Sequence, residues 1–63
     1  MDEITVTLQN MQEQLEEAID NARKFYAGNN SAGTRVRKTM QNIKGLAQNV
    51  RLEIQYQKNN VTA

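Results

Sequence analysis

The sequence predicts an all-α protein: an antiparallel helical hairpin of two long amphipathic helices that self-associates into a four-helix bundle. Three observations support this prediction. Apolar residues recur about every 3.5 positions in both halves of the chain, as they do where helices pack together. A short Gly- and Asn-rich segment separates the halves. The 63 residues include no Cys and no His, so self-association must supply the stability that disulfides or zinc give other small domains.

The first helix is predicted over about residues 4–27. Its apolar seam has alternating spacings of four and three residues and consists of Ile4, Leu8, Met11, Leu15, Ala18, Ala22 and Phe25. The stretch from Ile4 to Leu8 also alternates and is rich in β-branched residues, which is typical of a strand. We favour a helix because both residues stay in phase with the seam that follows. Three side chains are suitable N-caps for it: Asp2, Thr5 and Thr7.

A turn is predicted over residues 28–31. Gly28 can adopt a positive φ and end the first helix. Asn30 or Ser31 can cap the second helix by accepting hydrogen bonds from its unpaired N–H groups. Since so short a connection leaves the helices as neighbours, we expect them to run antiparallel.

The second helix is predicted over about residues 32–58, and the single domain covers residues 1–63. Its seam repeats the spacing of the first and consists of Val36, Met40, Ile43, Ala47, Val50, Ile54 and the polar Gln57. Residues 59–63 carry no seam residue and are expected to fray.

More apolar surface is present than one hairpin can cover. Ile19 and Tyr26 widen the first seam, Leu46 widens the second, and Leu52 and Tyr56 lie outside both. Two hairpins that close into a four-helix bundle would cover most of this surface, although a higher oligomer is also compatible. The expected oligomer core is Leu8, Met11, Leu15, Ala18, Ala22, Phe25, Val36, Met40, Ile43, Ala47, Val50 and Ile54.

The composition argues against several functional classes. Without His or Cys there is no base or nucleophile suited to neutral pH, and no Gly-rich phosphate loop is present. The carboxylates Glu13, Glu16, Glu17 and Asp20 face away from the seam, which is typical of a solvated helix face rather than a cation site. We therefore expect no enzyme activity, catalytic residues, metal site or cofactor.

The expected location is the cytoplasm, without membrane contact. No apolar run approaches the ~20 residues that span a bilayer. The acidic start of the chain argues against a secretory signal, and the lack of Cys suits a reducing compartment.

Charge is distributed unevenly although the net charge is only +1. Residues 1–27 carry two cations against six carboxylates, a net charge of −4, whereas residues 28–63 carry six cations against one carboxylate, a net charge of +5. Four of the cations are seven residues apart and form one row along a helix, ~31 Å long: Arg37, Lys44, Arg51 and Lys58. The row is either a set of phosphate contacts or a set of interhelical salt-bridge partners, and the sequence favours neither.

A second basic feature is the cluster of Arg35, Arg37 and Lys38 in the first turns of the second helix. Cations there oppose the helix dipole, and a bound phosphate would explain their position. The small residues 32–34 would let a phosphate backbone approach. The candidate nucleic-acid-binding residues are therefore Arg35, Arg37, Lys38, Lys44, Arg51 and Lys58.

One run is more specific than the seams around it. It reads Gly28-Asn29-Asn30-Ser31-Ala32-Gly33-Thr34-Arg35-Val36-Arg37-Lys38 and continues with Ile43-Lys44, Leu46-Ala47 and Arg51. This run resembles the chlamydial histone-like proteins and their short relatives in other bacteria. The resemblance implies DNA binding and nucleoid compaction, with the family's Arg pair at Arg35 and Arg37. Those proteins carry a long Lys/Ala-rich tail, which this sequence lacks, so we expect a short form from a bacterial cell or a phage-infected host.

The expected function is that of a small histone-like, nucleoid-associated protein that contacts the phosphates of double-stranded DNA without sequence specificity. Its expected state is a homodimer or a higher homo-oligomer. The alternative is a structural or adaptor coiled-coil module whose bundle surface binds a protein partner.

Overall fold

The computed structural model describes residues 2–61, Val61 for its backbone only, and consists of two helices. Helix α1 is Glu3–Tyr26 and helix α2 is Asn30–Val61. They pack against each other as a flat antiparallel hairpin with Cα extents of 55 × 19 × 10 Å. The predicted all-α hairpin is confirmed, and the strand alternative at the start of the chain does not occur.

The second helix is longer than expected at both ends. It begins at Asn30 rather than near residue 32 and continues to Val61, through part of the tail that was expected to fray. The remainder of that tail, residues 62 and 63, lies outside the described residues. At the open end of the hairpin α2 extends past the start of α1.

The connection between the helices is short because Asn29 both completes the end of α1 and precedes the first residue of α2. Gly28 has a φ of 111°, which confirms its predicted role at the end of α1. Its N–H donates to the carbonyl of Phe25 at 3.0 Å, and the N–H of Asn29 donates to the carbonyl of Lys24 at 3.0 Å. This is the Schellman arrangement of helix ends. It orients Asn29 so that the same residue can begin the second helix.

The cap of α2 is Asn29, which corrects the expectation of Asn30 or Ser31. The Oδ1 atom of Asn29 accepts a hydrogen bond from the backbone N–H of Ala32 at 3.2 Å. Because the cap lies directly after the Schellman turn, Asn30 and Ser31 belong to the first turn of the helix itself.

The first helix is capped by Asp2. Its Oδ1 atom accepts from the backbone N–H of Thr5 at 2.7 Å, and its Oδ2 atom accepts from the Thr5 hydroxyl at 2.9 Å. These hydrogen bonds, the backbone one above all, stabilise the carboxylate and hold the pKa of Asp2 below its usual 3.8. The negative charge also suits the positive end of the helix dipole.

The line of α1 that contacts α2 differs from the expected seam. The buried and half-buried residues of α1 on this line are Ile4, Thr7, Met11, Gln14, Ala18 and Asn21. Their counterparts on α2 are Ala32, Val36, Thr39, Ile43, Leu46, Val50 and Glu53. The predicted spacing is present, but at three places the residue in contact with α2 is polar and lies one position before the expected one: Thr7, Gln14 and Asn21 take the places of Leu8, Leu15 and Ala22. The apolar stripe of α1 is therefore wider than the surface that α2 covers, and part of it stays exposed.

The core of a single hairpin is small. The buried residues of the described chain are Ala18, Asn21 and Ala32, with exposed fractions of 5%, 5% and 0%, and no large side chain there is fully buried. The accessible surface is 5138 Å², whereas a compact monomer of this mass exposes about 4100 Å². The excess of roughly 1000 Å² is surface that a compact fold of this size would bury.

Candidate nucleic-acid interface

The basic row consists of Arg37, Lys44, Arg51 and Lys58 on the outer flank of α2, and all four side chains are exposed. Residues seven apart on a straight helix drift by only ~20°, so the four share one side of α2 over ~31 Å. Lys44 and Arg51 line one shallow groove together with Ala47. The structure therefore places the four cations of the predicted row on one side of α2.

Three members of the basic row are available for an outside partner. Arg37, Lys44 and Arg51 form no ion pair with any carboxylate in residues 2–61. The interhelical salt bridges that were the alternative explanation of the row are thus not made by these three cations inside one hairpin.

The acidic side chains of α1 form no ion pair with Arg37, Lys44 or Arg51. Glu13, Glu16, Glu17 and Asp20 are all exposed, and Asp20 pairs with Lys24 on its own helix at 3.2 Å. Within residues 2–61, no cluster of these or other carboxylates is suited to holding a metal ion.

Arg35 has a different environment from the basic row. Its Nε atom donates to the Oδ1 atom of Asn21 at 2.9 Å, across the interface between the helices. Asn21 is 5% exposed, and its Nδ2 atom donates to the carbonyl of Glu17 at 3.2 Å. The buried amide is therefore satisfied on both sides, and the pair fixes the register of α1 against α2. Sequence reasoning missed Asn21, although its place in the 4/3 spacing after Gln14 and Ala18 was a usable signal.

The cluster at the start of α2 is divided between two sides of the helix. Successive helical residues are about 100° apart, so Arg35 and Arg37 point in directions that differ by roughly 200°. Arg37 continues the basic row, whereas Arg35 and Lys38 lie toward the opposite face of the hairpin. The structure does not bring the three together around one phosphate.

The small residues in this region have a packing role. Ala32 is completely buried. A Cβ atom on Gly33 would lie 2.6 Å from Cδ1 and 2.8 Å from Cε1 of Phe25, whose ring covers the helix there. The space expected to admit a phosphate backbone at these two positions is therefore occupied by α1.

One broad side of the hairpin is apolar. On the helical projection most of its residues lie about a quarter turn from the contact between α1 and α2, on the same side in both helices, and Phe25 and Val36 lie where the face meets that contact. We call this surface the apolar face; it consists of Leu8, Leu15, Ile19, Ala22, Phe25, Tyr26, Val36, Met40, Ala47 and Ile54. The large members are 40% or more exposed, except Val36, which is half-buried.

Two grooves establish that the hairpin has two unlike faces. Near the turn, a groove of about 460 Å³ is lined by Ala22 and Tyr26 of α1 and by Val36 of α2, so both helices contribute to the apolar face. The groove on the opposite side is lined by Gln14 of α1 and by Asn42 and other residues of α2, and is polar. The basic row lies next to the apolar face, along the edge of that face that α2 forms.

One of three comparisons with known proteins finds a match for this chain. Residues 5–60 match a family model described as histone H1-like protein Hc1. That family consists of histone-like DNA-binding architectural proteins that are not typically enzymatic, and it implies association with the nucleoid. Neither the comparison with curated proteins nor that with solved structures finds a match.

Neither helix within residues 2–61 combines the length and the hydrophobicity that a bilayer-spanning segment requires.

Proposed function

The chain belongs to the histone H1-like Hc1 family, and from this premise we propose that it binds double-stranded DNA through phosphate contacts, without sequence preference. The basic row is the main contact surface in this proposal. The observation that carries it is the exposure of four cations along one flank of α2, three of them without a carboxylate partner in residues 2–61.

The basic row accounts for DNA binding by a protein with a net charge of only +1. A cation that neutralises a duplex phosphate releases condensed counterions, and each such contact contributes ~0.9 to the slope of log K against log salt. Four contacts per hairpin correspond to a slope of about −3.6. Within one hairpin the acidic groups of α1 form no ion pair with Arg37, Lys44 or Arg51, so they limit indiscriminate binding without blocking these cations.

Arg35 and Lys38 have a secondary part in this proposal. They lie toward the polar face, and Arg35 already donates one hydrogen bond to Asn21. Either cation can contact a phosphate that reaches around the start of α2, but neither continues the basic row. Contacts of this kind go to the DNA backbone and carry no base information, so binding is the same for unrelated sequences.

Self-association belongs to the same proposal. The excess surface and the apolar face support a homodimer or a higher homo-oligomer, in which the large apolar side chains become buried. The proposed location is the nucleoid in the cytoplasm of a bacterium or of a phage-infected host cell.

A second candidate function rests on the apolar face. A hairpin that exposes so many large apolar side chains can serve as an adaptor that binds a protein partner there. In that case self-association would be weak, and the cations of the basic row would contribute little to any duplex affinity.

The experiment that tests the DNA proposal compares two double variants of equal charge change. Lys44→Gln with Arg51→Gln removes two members of the basic row. Arg23→Gln with Lys24→Gln removes two cations near the end of α1. We measure duplex affinity by fluorescence anisotropy over a series of salt concentrations.

The row variant is expected to reduce the slope of log K against log salt by about 1.8 for each hairpin engaged, because two phosphate contacts are lost. The α1 variant is expected to retain the wild-type slope. Equal slopes for the row variant and the wild type would contradict the proposal. A fall in thermal stability of the row variant with unchanged affinity would instead favour salt bridging between hairpins.

A further inference from the structure

The apolar face is large enough to hold a second copy of the chain. The overlap of the helices is ~33 Å long, and the hairpin is 19 Å wide between Cα extents. The resulting area is roughly 600 Å² for a flat outline, so two copies would bury about 1200 Å² in total, the low end of the range for specific interfaces. It also accounts for much of the excess surface of the single hairpin.

Two symmetric arrangements bury this face in a four-helix bundle. In the first, the twofold axis runs along the helices, and α1 of each copy lies over α2 of the other. In the second, the axis runs across the helices, so that like helices lie over each other. The two arrangements bury the same surface but place the basic rows differently.

We infer that the hairpins pair in the first arrangement, with α1 over α2, and that the dimer therefore presents its two basic rows on opposite flanks. The charges decide between the arrangements. Each basic row borders the α2 edge of the apolar face, so stacking α2 on α2 would place both sets of four cations along one flank, where they repel. Stacking α1 on α2 separates them by the full width of the bundle.

The contacts within one hairpin show which residues lie level with each other. Arg35 bonds to Asn21, and Ile4 lies beside Val50 in a small cleft at the open end. A residue of α1 therefore lies at the same height along the hairpin as the residue of α2 for which the two residue numbers add up to about 55. An axis along the helices leaves this relation unchanged between the copies.

Glu16 supplies a specific charge match in this arrangement. It follows Leu15 of the apolar face and lies at the outer border of that face. On the other copy, the residue of α2 at the same height as Glu16 is near residue 39, between Arg37 and Lys44. The carboxylate would thus approach the gap between two cations, while the rest of the row remains available to DNA.

The consequence for function depends on the proposed DNA binding. With one basic row on each flank, a dimer contacts two duplexes at once and holds them side by side. The second arrangement would combine both rows into one surface for a single duplex. The pairing of the helices thus determines whether the protein bridges DNA or only coats it.

Cysteine pairs test the arrangement directly, because the natural sequence contains no Cys. Leu15→Cys and Met40→Cys proteins are mixed, unfolded, refolded together and oxidised, and the products are separated by mass. Adjacent helices allow the two sulfur atoms to meet within disulfide geometry, whereas diagonal helices lie roughly 14 Å apart. Leu8→Cys with Ala47→Cys is another pair of residues at the same height. Leu52→Cys with Met40→Cys is the control, because Leu52 lies outside the apolar face.

For either pair of residues at the same height, we expect mixed disulfides in about half of the chains. This is the fraction of chains that random pairing places in mixed dimers. Their absence from both pairs would overturn the inference, whether or not Leu15→Cys links to itself. The cross-linked mixed dimer is then tested for retention of a labelled duplex on an immobilised one. Failure to bind any duplex would contradict the proposed function alone, and binding of one duplex without retention of a second would overturn the bridging step.

Discussion

Replacing Leu15 with Ala is expected to weaken self-association far more than an equivalent change outside the apolar face. Leu15 remains 44% exposed in the single hairpin. Complete burial of a Leu side chain contributes ~1.5–3 kcal/mol, so covering the exposed part contributes ~0.7–1.3 kcal/mol per subunit. A symmetric dimer loses this contribution twice, ~1.3–2.6 kcal/mol in all. The dissociation constant should rise by about tenfold to eightyfold.

Leu52→Ala is the matched control for this prediction. Leu52 is 56% exposed and lies two residues from Ile54, which directs it roughly 200° away from the apolar face. Its removal should change the dissociation constant by no more than about twofold. Sedimentation equilibrium over a range of concentrations measures both constants. Equal effects of the two substitutions, or a stably helical wild-type monomer at micromolar concentration, would refute the reasoning.

Three further predictions concern the hairpin itself. Gly28→Ala should lower the free energy of unfolding by ~1–2 kcal/mol because of the positive φ, whereas Gly45→Ala, in open space on α2, should raise it by about 1 kcal/mol; thermal denaturation measures both. Arg35→Ala should destabilise by ~1–3 kcal/mol because it leaves the buried Asn21 oxygen without its donor, and an unchanged melting temperature would contradict this. Since the pKa of Asp2 is lowered by folding, its stabilisation is complete above pH 3.8 and disappears as the pH falls through the folded value; circular dichroism should show that Asp2→Asn reduces this loss of helix.

The sequence predicted the hairpin well because local chemistry determines most of it. The 4/3 spacing predicts paired helices, Asp2 is a suitable cap for the first of them, and the glycine at position 28 predicts where that helix ends. The exact cap of α2 was harder, because Asn29, Asn30 and Ser31 are all suitable caps. Only the geometry of the Schellman turn decides that Asn29 is the one in place.

The rotation of α1 against α2 could not be predicted from the spacing. Leu8 and Leu15 are better core residues than Thr7 and Gln14, and a pair of helices considered alone would bury the leucines. The hairpin instead places polar residues at this contact, joined by the hydrogen bond between Arg35 and Asn21. The leucines stay exposed in the single hairpin, and the proposed self-association would cover them. The spacing within one chain does not specify which side of a helix contacts its neighbour and which would contact a second copy.

The candidate site was predicted in part. Heptad spacing correctly indicated that the basic row shares one side of α2, because that follows from helix geometry alone. The grouping of Arg35 with Arg37 relied on their closeness in sequence, and residues two apart on a helix point in nearly opposite directions. Whether the row contacts phosphate depends on a partner, which no pattern in the chain defines.

The central claim, that the hairpin binds duplex DNA through its phosphates, is tested most directly by titrating two unrelated duplexes with the wild-type protein over a series of salt concentrations. The account predicts binding at low salt, the same affinity for both sequences, and a linear fall of log K against log salt with a slope of about −3.6 per hairpin engaged. An absence of binding at about 50 mM salt, or an affinity that does not change with salt, would contradict it.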